Sequence, residues 1–295
     1  MADETIGLER VDIAGTGFKG AEGVVVDQGG AIYAGGSDGV VRKLSPDGRV
    51  SEFARLANRP LGMAFDRRGD LFVCDGGGAG VLCVRPDGRA SVFADRVSDV
   101  ALVATNFPVF DAEGNLYVSN STDYPLNRHE RFMAELQDPA PKGSLVRLRP
   151  DARGELVARG LYFANGLAID PREEGVYVLQ STKRDCLRIP IRKDGSHGAA
   201  EVFVSDFGAL PDGNAFDAEG NLIVTLPMDD RLVVADANGR VTTLVEDPHG
   251  TKIAMPSNCA FGGPAFDQLY VTSLKGDHLA RVNLGRRGHP LFHAR

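Results

Sequence analysis

Apolar residues in this chain fall into runs of about four to six, each closed by Gly or Asp, a pattern of short strands and tight turns. The runs come in pairs. First members are Glu22-Gly-Val-Val-Val-Asp27, Leu61-Gly-Met-Ala-Phe-Asp66, Asn106-Phe-Pro-Val-Phe-Asp111, Asn165-Gly-Leu-Ala-Ile-Asp170, Asp212-Gly-Asn-Ala-Phe-Asp217 and Ser257-Asn-Cys-Ala-Phe-Gly262. Second members follow one turn later, as in Ala31-Ile-Tyr-Ala, Leu71-Phe-Val-Cys and Leu222-Ile-Val-Thr. The pairs recur about every 45 residues, the length of a four-stranded propeller blade. Six units fill the chain and predict an all-β fold, one six-bladed β-propeller domain over 1–295.

Third and fourth strands are clearest in the first two units. There the tetrad Pro-Asp-Gly-Arg, at 46–49 and again at 86–89, supplies hairpin chemistry. Asp47 and Asp87 are expected to be structural, and the anchor aspartates of the repeat to satisfy turn N–H groups. The sixth unit lacks a good fourth strand. Residues 8–14 alternate like a strand, so the N-terminus is predicted to complete the last blade and close the ring. The tail Leu291-Phe-His-Ala-Arg295 is a weaker candidate for that place.

The third unit is longer than the others by about 14 residues, and long insertions in compact domains commonly bind or cover ligands. The excess lies at 120–142, between second and third strands, with a helix predicted over 126–136 and stopped by Pro139 and Pro141. Strand alternation hangs this segment over the face where first strands begin. It is expected to act as a lid offering Tyr124, Arg128 and His129 to a ligand. His249 and Lys252, in a loop on the same face, are expected near the substrate.

The leading positions of the six units read Glu22, Leu61, Asn106, Asn165, Asp212 and Ser257. In a propeller they form a ring around the channel, and four of the six carry carboxylate or amide oxygens. Crowded carboxylates in a narrow channel need compensation. One divalent cation provides it, and two carboxylates with two amides suit Ca²⁺ first, then Mg²⁺ or Mn²⁺, ahead of Zn²⁺. Alternatively these side chains cap strand starts and bond to each other and to channel water.

A net charge of −7 with no basic stripe speaks against a nucleic-acid partner. No run approaches the roughly 18 apolar residues of a membrane span. Met1-Ala-Asp-Glu-Thr-Ile-Gly7 does not read as a secretory leader. A cytoplasmic protein is therefore expected, with a small-molecule substrate and an open oligomeric state. Its four cysteines, 74, 83, 186 and 259, lack metal-ligand spacing and are expected to be reduced, although Cys74 and Cys83 flank one glycine turn. That turn, Gly76-Gly-Gly-Ala-Gly80, joins two strands, unlike a phosphate-binding loop.

Ala21-Glu22-Gly23, Ala164-Asn165-Gly166-Leu167-Ala168-Ile169-Asp170 and Leu210-Pro211-Asp212-Gly213 are similar to signatures of the gluconolactonase and senescence-marker-protein (regucalcin) propellers. The resemblance implies that Glu22, Asn165 and Asp212 bind one catalytic divalent metal and that Asp212 is the general base. It places Asn106 beside the metal or among its ligands. It also implies a substrate-holding role two residues before Asn106, where the sugar-lactone enzymes carry Arg and this chain carries Ala104. The insertion resembles the strictosidine-synthase-like branch, some members of which do no hydrolysis.

Together these readings predict a metal-dependent hydrolase of a lactone or small ester. The alternatives are a metal-dependent isomerisation, elimination or condensation of a more apolar metabolite, and a non-catalytic propeller that binds a ligand.

Overall fold

A computed structural model describes residues 5–294. Among them, six four-stranded antiparallel sheets follow one another in chain order. The first five sheets open with Val24–Val26, Pro60–Phe65, Thr105–Phe110, Ala164–Ile169 and Asn214–Phe216, and the sixth with Cys259–Gly262. Each opening strand packs against those of the blades on either side, and the contacts close into a ring. This is a six-bladed propeller. Burial grades outward: Leu71–Asp75 is buried throughout, whereas Val50–Arg55 at a blade edge is mostly exposed.

The fourth strand of the last blade is Val11–Thr16, paired antiparallel with His278–Asn283. The ring therefore closes with the N-terminal strand, but not over 8–14. Leu8–Arg10 forms a 3₁₀ turn instead, because Val11 pairs with Val282 and the partner strand ends one residue later. The C-terminal tail does not compete for this edge. Phe292 stacks on Phe110 at 5.2 Å, and His293 Nε2 meets Val26 O at 2.7 Å, so the tail plugs the far end of the channel.

One aromatic triad recurs between blades. Tyr33, Phe72 and Tyr177, on second strands, each meet a Phe on their own fourth strand (Phe53, Phe93, Phe203). Each also meets the Phe near the end of the next blade's first strand (Phe65, Phe110, Phe216). The rings pack edge to face with centroids about 5 Å apart, the favoured arrangement.

The turns behave as their chemistry requires. Asp47 Oδ1 accepts the Arg49 N–H and Asp87 Oδ1 the Arg89 N–H, with Gly48 and Gly88 at positive φ. The anchor Asp111 accepts the N–H groups of Glu113 and Asn115, and Asp217 those of Glu219 and Asn221. All four cysteines are buried and free. Cys74 lies opposite Val81, and Cys83 opposite Phe72. No helix among the described residues is long and apolar enough to cross a membrane.

In the third blade the inserted segment folds as a helix over His129–Gln137, starting three residues later than predicted. Residues 125–128 form a separate turn, in which the Arg128 N–H bonds to the Pro125 carbonyl at 3.1 Å, and the helix begins after it. Thr122 then donates to the buried Glu135 carboxylate at 3.0 Å, tying the helix down onto the blade.

Candidate active site

The leading position of most units is followed by Gly, and packing explains why. A Cβ on Gly166 would lie 2.5 Å from Asp212 O, and one on Gly213 2.6 Å from Ser257 O. Where Gly stands, the neighbouring first strand approaches too closely for a side chain, which holds those ring residues at one depth.

A second device is a hydroxyl clasp at the end of each of four second strands. Ser121 donates to Ala164 O, Ser181 to Pro211 O, Thr225 to Ser257 O and Thr272 to Glu22 O, all at 2.7–2.9 Å. Each bond crosses to the next blade. Ser121 and Ser181 also accept the Nδ2 groups of Asn106 and Asn165, at 3.1 and 3.0 Å. Both amides thereby have their donor ends fixed. Asn165 Oδ1 is left buried with no hydrogen-bond partner.

Glu22, Asn106, Asn165 and Asp212 line one cavity of about 510 Å³. Asp212 keeps some exposure to it, yet lies deep in protein at the channel mouth. Burial first, then the charge of Glu22, raises its pKa well above the ordinary carboxylate value, while Asn165 and Arg59 oppose the shift.

Arg59 was not foreseen. Its Nη2 lies 2.8 Å from Glu22 Oε2 and donates to Gly20 O at 3.2 Å. It precedes Leu61 by two residues, as Ala104 precedes Asn106. Its signal was positional: a lone charge just before an apolar first strand. The clasp hydroxyls had one too, as Ser or Thr at the ends of four second strands.

The rest of the wall is largely apolar, with Leu61, Leu126, Phe132, Phe163 and Leu274 beside Asn58, Asn127 and His129. Phe132, on the inserted helix, packs against Phe163 at 4.9 Å. The insertion thus reaches the cavity through Leu126, Asn127, His129 and Phe132. Tyr124 does not line it: the ring is buried on the blade, with Arg131 at 4.4 Å from its centroid. Arg128 is exposed at the helix start and also lies outside the lining.

Ala104 lies behind the wall, its N–H held by Asn120 Oδ1 at 2.9 Å. His249 is exposed and lines nothing here, because Asp247 gathers the N–H groups of its loop onto itself. Lys252 turns to the N-terminal segment and donates to Leu8 O and Val11 O. These positions lie away from the cavity.

Residues 20–275 match the model of the SMP-30/gluconolactonase/LRE-like region. The chain belongs to this family. It is 26% identical to a gluconolactonase of Zymomonas mobilis, over 85% of this chain and 76% of that protein. It is 25% identical to a strictosidine synthase-like protein of Arabidopsis thaliana, over 68% of this chain and 54% of that protein. The matches thus span about half the length of these plant relatives. Among solved structures, the calcium-binding protein regucalcin of Agrobacterium tumefaciens superposes with a TM-score of 0.75 at 17% identity, over 95% of each chain.

Proposed function

We propose that this member of the family is a divalent-metal-dependent hydrolase of lactones or related small esters. Its carrying observation is the Asp212 carboxyl, raised by burial and by Glu22, on the wall of a cavity under the inserted helix. A gluconolactonase among the relatives supports lactone chemistry, and a calcium-binding structural neighbour supports Ca²⁺.

The residues fit a hard cation. Among the described residues no three His, Cys, Asp or Glu side chains group to hold an ion. Glu22 and Asp212 would therefore hold it with the amide oxygens of Asn106 and Asn165. Serine hydroxyls bind both amide nitrogens, and Asn165 Oδ1 is buried without a partner, as a ligand oxygen awaiting a cation would be. When bound, such a cation polarises a substrate carbonyl and acidifies water.

In the reaction Asp212 takes the proton of the attacking water and returns it to the leaving alkoxide. Asn106 orients the ester or shares in holding the cation. Leu61, Phe132, Phe163 and Leu274 exclude bulk water around the reacting carbonyl, and the inserted segment acts as the lid. Four buried free cysteines suit a reducing compartment, the cytoplasm.

Asp212→Ala tests this directly. Lactone turnover in saturating calcium should disappear while the melting temperature of the metal-free chain does not fall. Turnover that survives removes Asp212 from the mechanism.

The apolar wall and the absence of Arg at Ala104 favour a second reading, a metal-dependent isomerisation, elimination or condensation of an apolar metabolite. A blank lactone and ester panel with calcium bound would turn the assignment toward it. Calcium binding with no turnover of any kind would leave a non-catalytic binding propeller.

A further inference from the structure

Arg59 is the one Lys or Arg side chain lining the cavity among the described residues. Its base is rigid. The Arg59 carbonyl accepts the Gly76 N–H at 3.0 Å, and the neighbouring Asn58 amide is held by Asp75, which also accepts the Gly77 and Ala79 N–H groups. The guanidinium spends Nη2 on Glu22 and Gly20, holds Nε buried without a partner, and leaves about a third of the side chain exposed (37%). Nη1 is left to meet a ligand.

Charge counting gives those donors a purpose. A divalent cation would balance the two carboxylates, Glu22 and Asp212, so Arg59 is left as one positive charge in a wall whose other side chains are apolar groups, amides and one His. A neutral apolar ligand would leave that charge uncompensated in a half-closed cavity, which is costly. A ligand with an apolar body and one anionic group would satisfy both.

We infer that Arg59 selects anionic substrates: lactones or esters that carry a carboxylate or similar anion on an apolar ring or chain. This rests on the hydrolase reading for the word substrate, but the binding preference stands apart from it. Guanidinium is suited to the task, because its charge is permanent and its N–H groups make charge-assisted bonds to a carboxylate. Arg59 is here a specificity residue, and proton transfer stays with Asp212.

The test is calorimetric titration of the calcium-loaded full chain with phenylacetate and with its neutral counterpart, phenylacetamide. The wild type should bind the carboxylate about tenfold more tightly or better. Arg59→Gln should lose that preference with amide affinity unchanged, and Arg59→Lys should restore part of it. A preference that persists in Arg59→Gln would show that the cation reads the charge, and would overturn the inference. So would equal affinities in the wild type. Calcium titration gives a readout independent of any substrate: Arg59→Gln frees Glu22 and should bind Ca²⁺ more tightly, whereas weaker binding would contradict the ion pair's place in the site.

Activity separates the two proposals. A carboxylate-bearing lactone should show a lower KM than its methyl ester, and Arg59→Gln should erase the difference. If neither lactone turns over while phenylacetate discrimination remains, the hydrolase reading fails and the Arg59 assignment survives.

Discussion

The two ends of the central channel use the same six strands for opposite purposes. At one end stand Glu22, Asn106, Asn165, Asp212 and Arg59, open to a cavity. Further along the same strands come Val24, Met63, Val109, Leu167 and Cys259, closed off by Leu291, Phe292 and His293. Asn214 is the polar exception, its amide buried with neither atom partnered. The strand backbone is common to both ends, so side-chain choice, with the tail at one end and the insertion at the other, divides them. Charge gathers where the channel opens and apolar bulk where it is plugged, because only the open end can bring in a compensating ligand.

The sharpest way to break this contrast is to change two residues of one blade. Asp212→Asn should lower kcat by about 10²–10⁴-fold, the usual worth of a general base, with stability equal or higher. Asn214→Leu, two positions on, should leave kcat unchanged and raise stability by about 1 kcal/mol, since it removes an unsatisfied buried amide. Steady-state kinetics and urea titration on both variants would show it, and matching phenotypes would dissolve the distinction.

Next in size is the plug. Phe292→Ala removes a ring stacked on Phe110 and covered by Arg67 at 4.4 Å. It should cost about 3 kcal/mol of unfolding free energy without altering calcium affinity. A shift in calcium affinity would mean that the two ends communicate. Glu22→Gln should do the reverse, weakening calcium binding at least about tenfold by removing one ligand charge while leaving urea stability of the metal-free chain nearly unchanged.

The smallest effect is in pH, and the two ends should carry opposite signs. His293 is buried and held by Val26 O, and burial lowers its pKa. Its contribution is complete above the unfolded histidine value of about 6.5 and is lost as pH falls through the folded one. Asp212 is raised, so in the metal-free chain its contribution is complete below the unfolded carboxylate value of about 3.9 and is lost as pH rises through the folded one. Melting curves of metal-free His293→Phe and Asp212→Asn against pH should each flatten one limb only.

Much of this was legible in the chain, because propeller physics is written locally. Repeated apolar pairs, Pro-Asp-Gly-Arg turns and Gly after the leading position all report short-range constraints, and Gly166 packed on Asp212 O shows what that Gly is for. The ring residues followed from register alone. Residues placed by loops did not follow. Tyr124 and Arg128 share the insertion with His129, yet the turn at Pro125 and the tie between Thr122 and Glu135 send only some of its side chains to the cavity. His249 and Lys252 were drawn elsewhere by Asp247 and by the N-terminal segment.

The sequence by itself determined six blades, the face on which four oxygen-bearing side chains meet, and the aspartates given over to turns, since strand period and turn chemistry act over a few residues. Only the tertiary structure decided that Arg59 pairs with Glu22, that serines orient the two amides, and that the tail plugs the channel. Those contacts join residues far apart in the chain, so no local pattern specifies them, and packing around the closed ring selects among them.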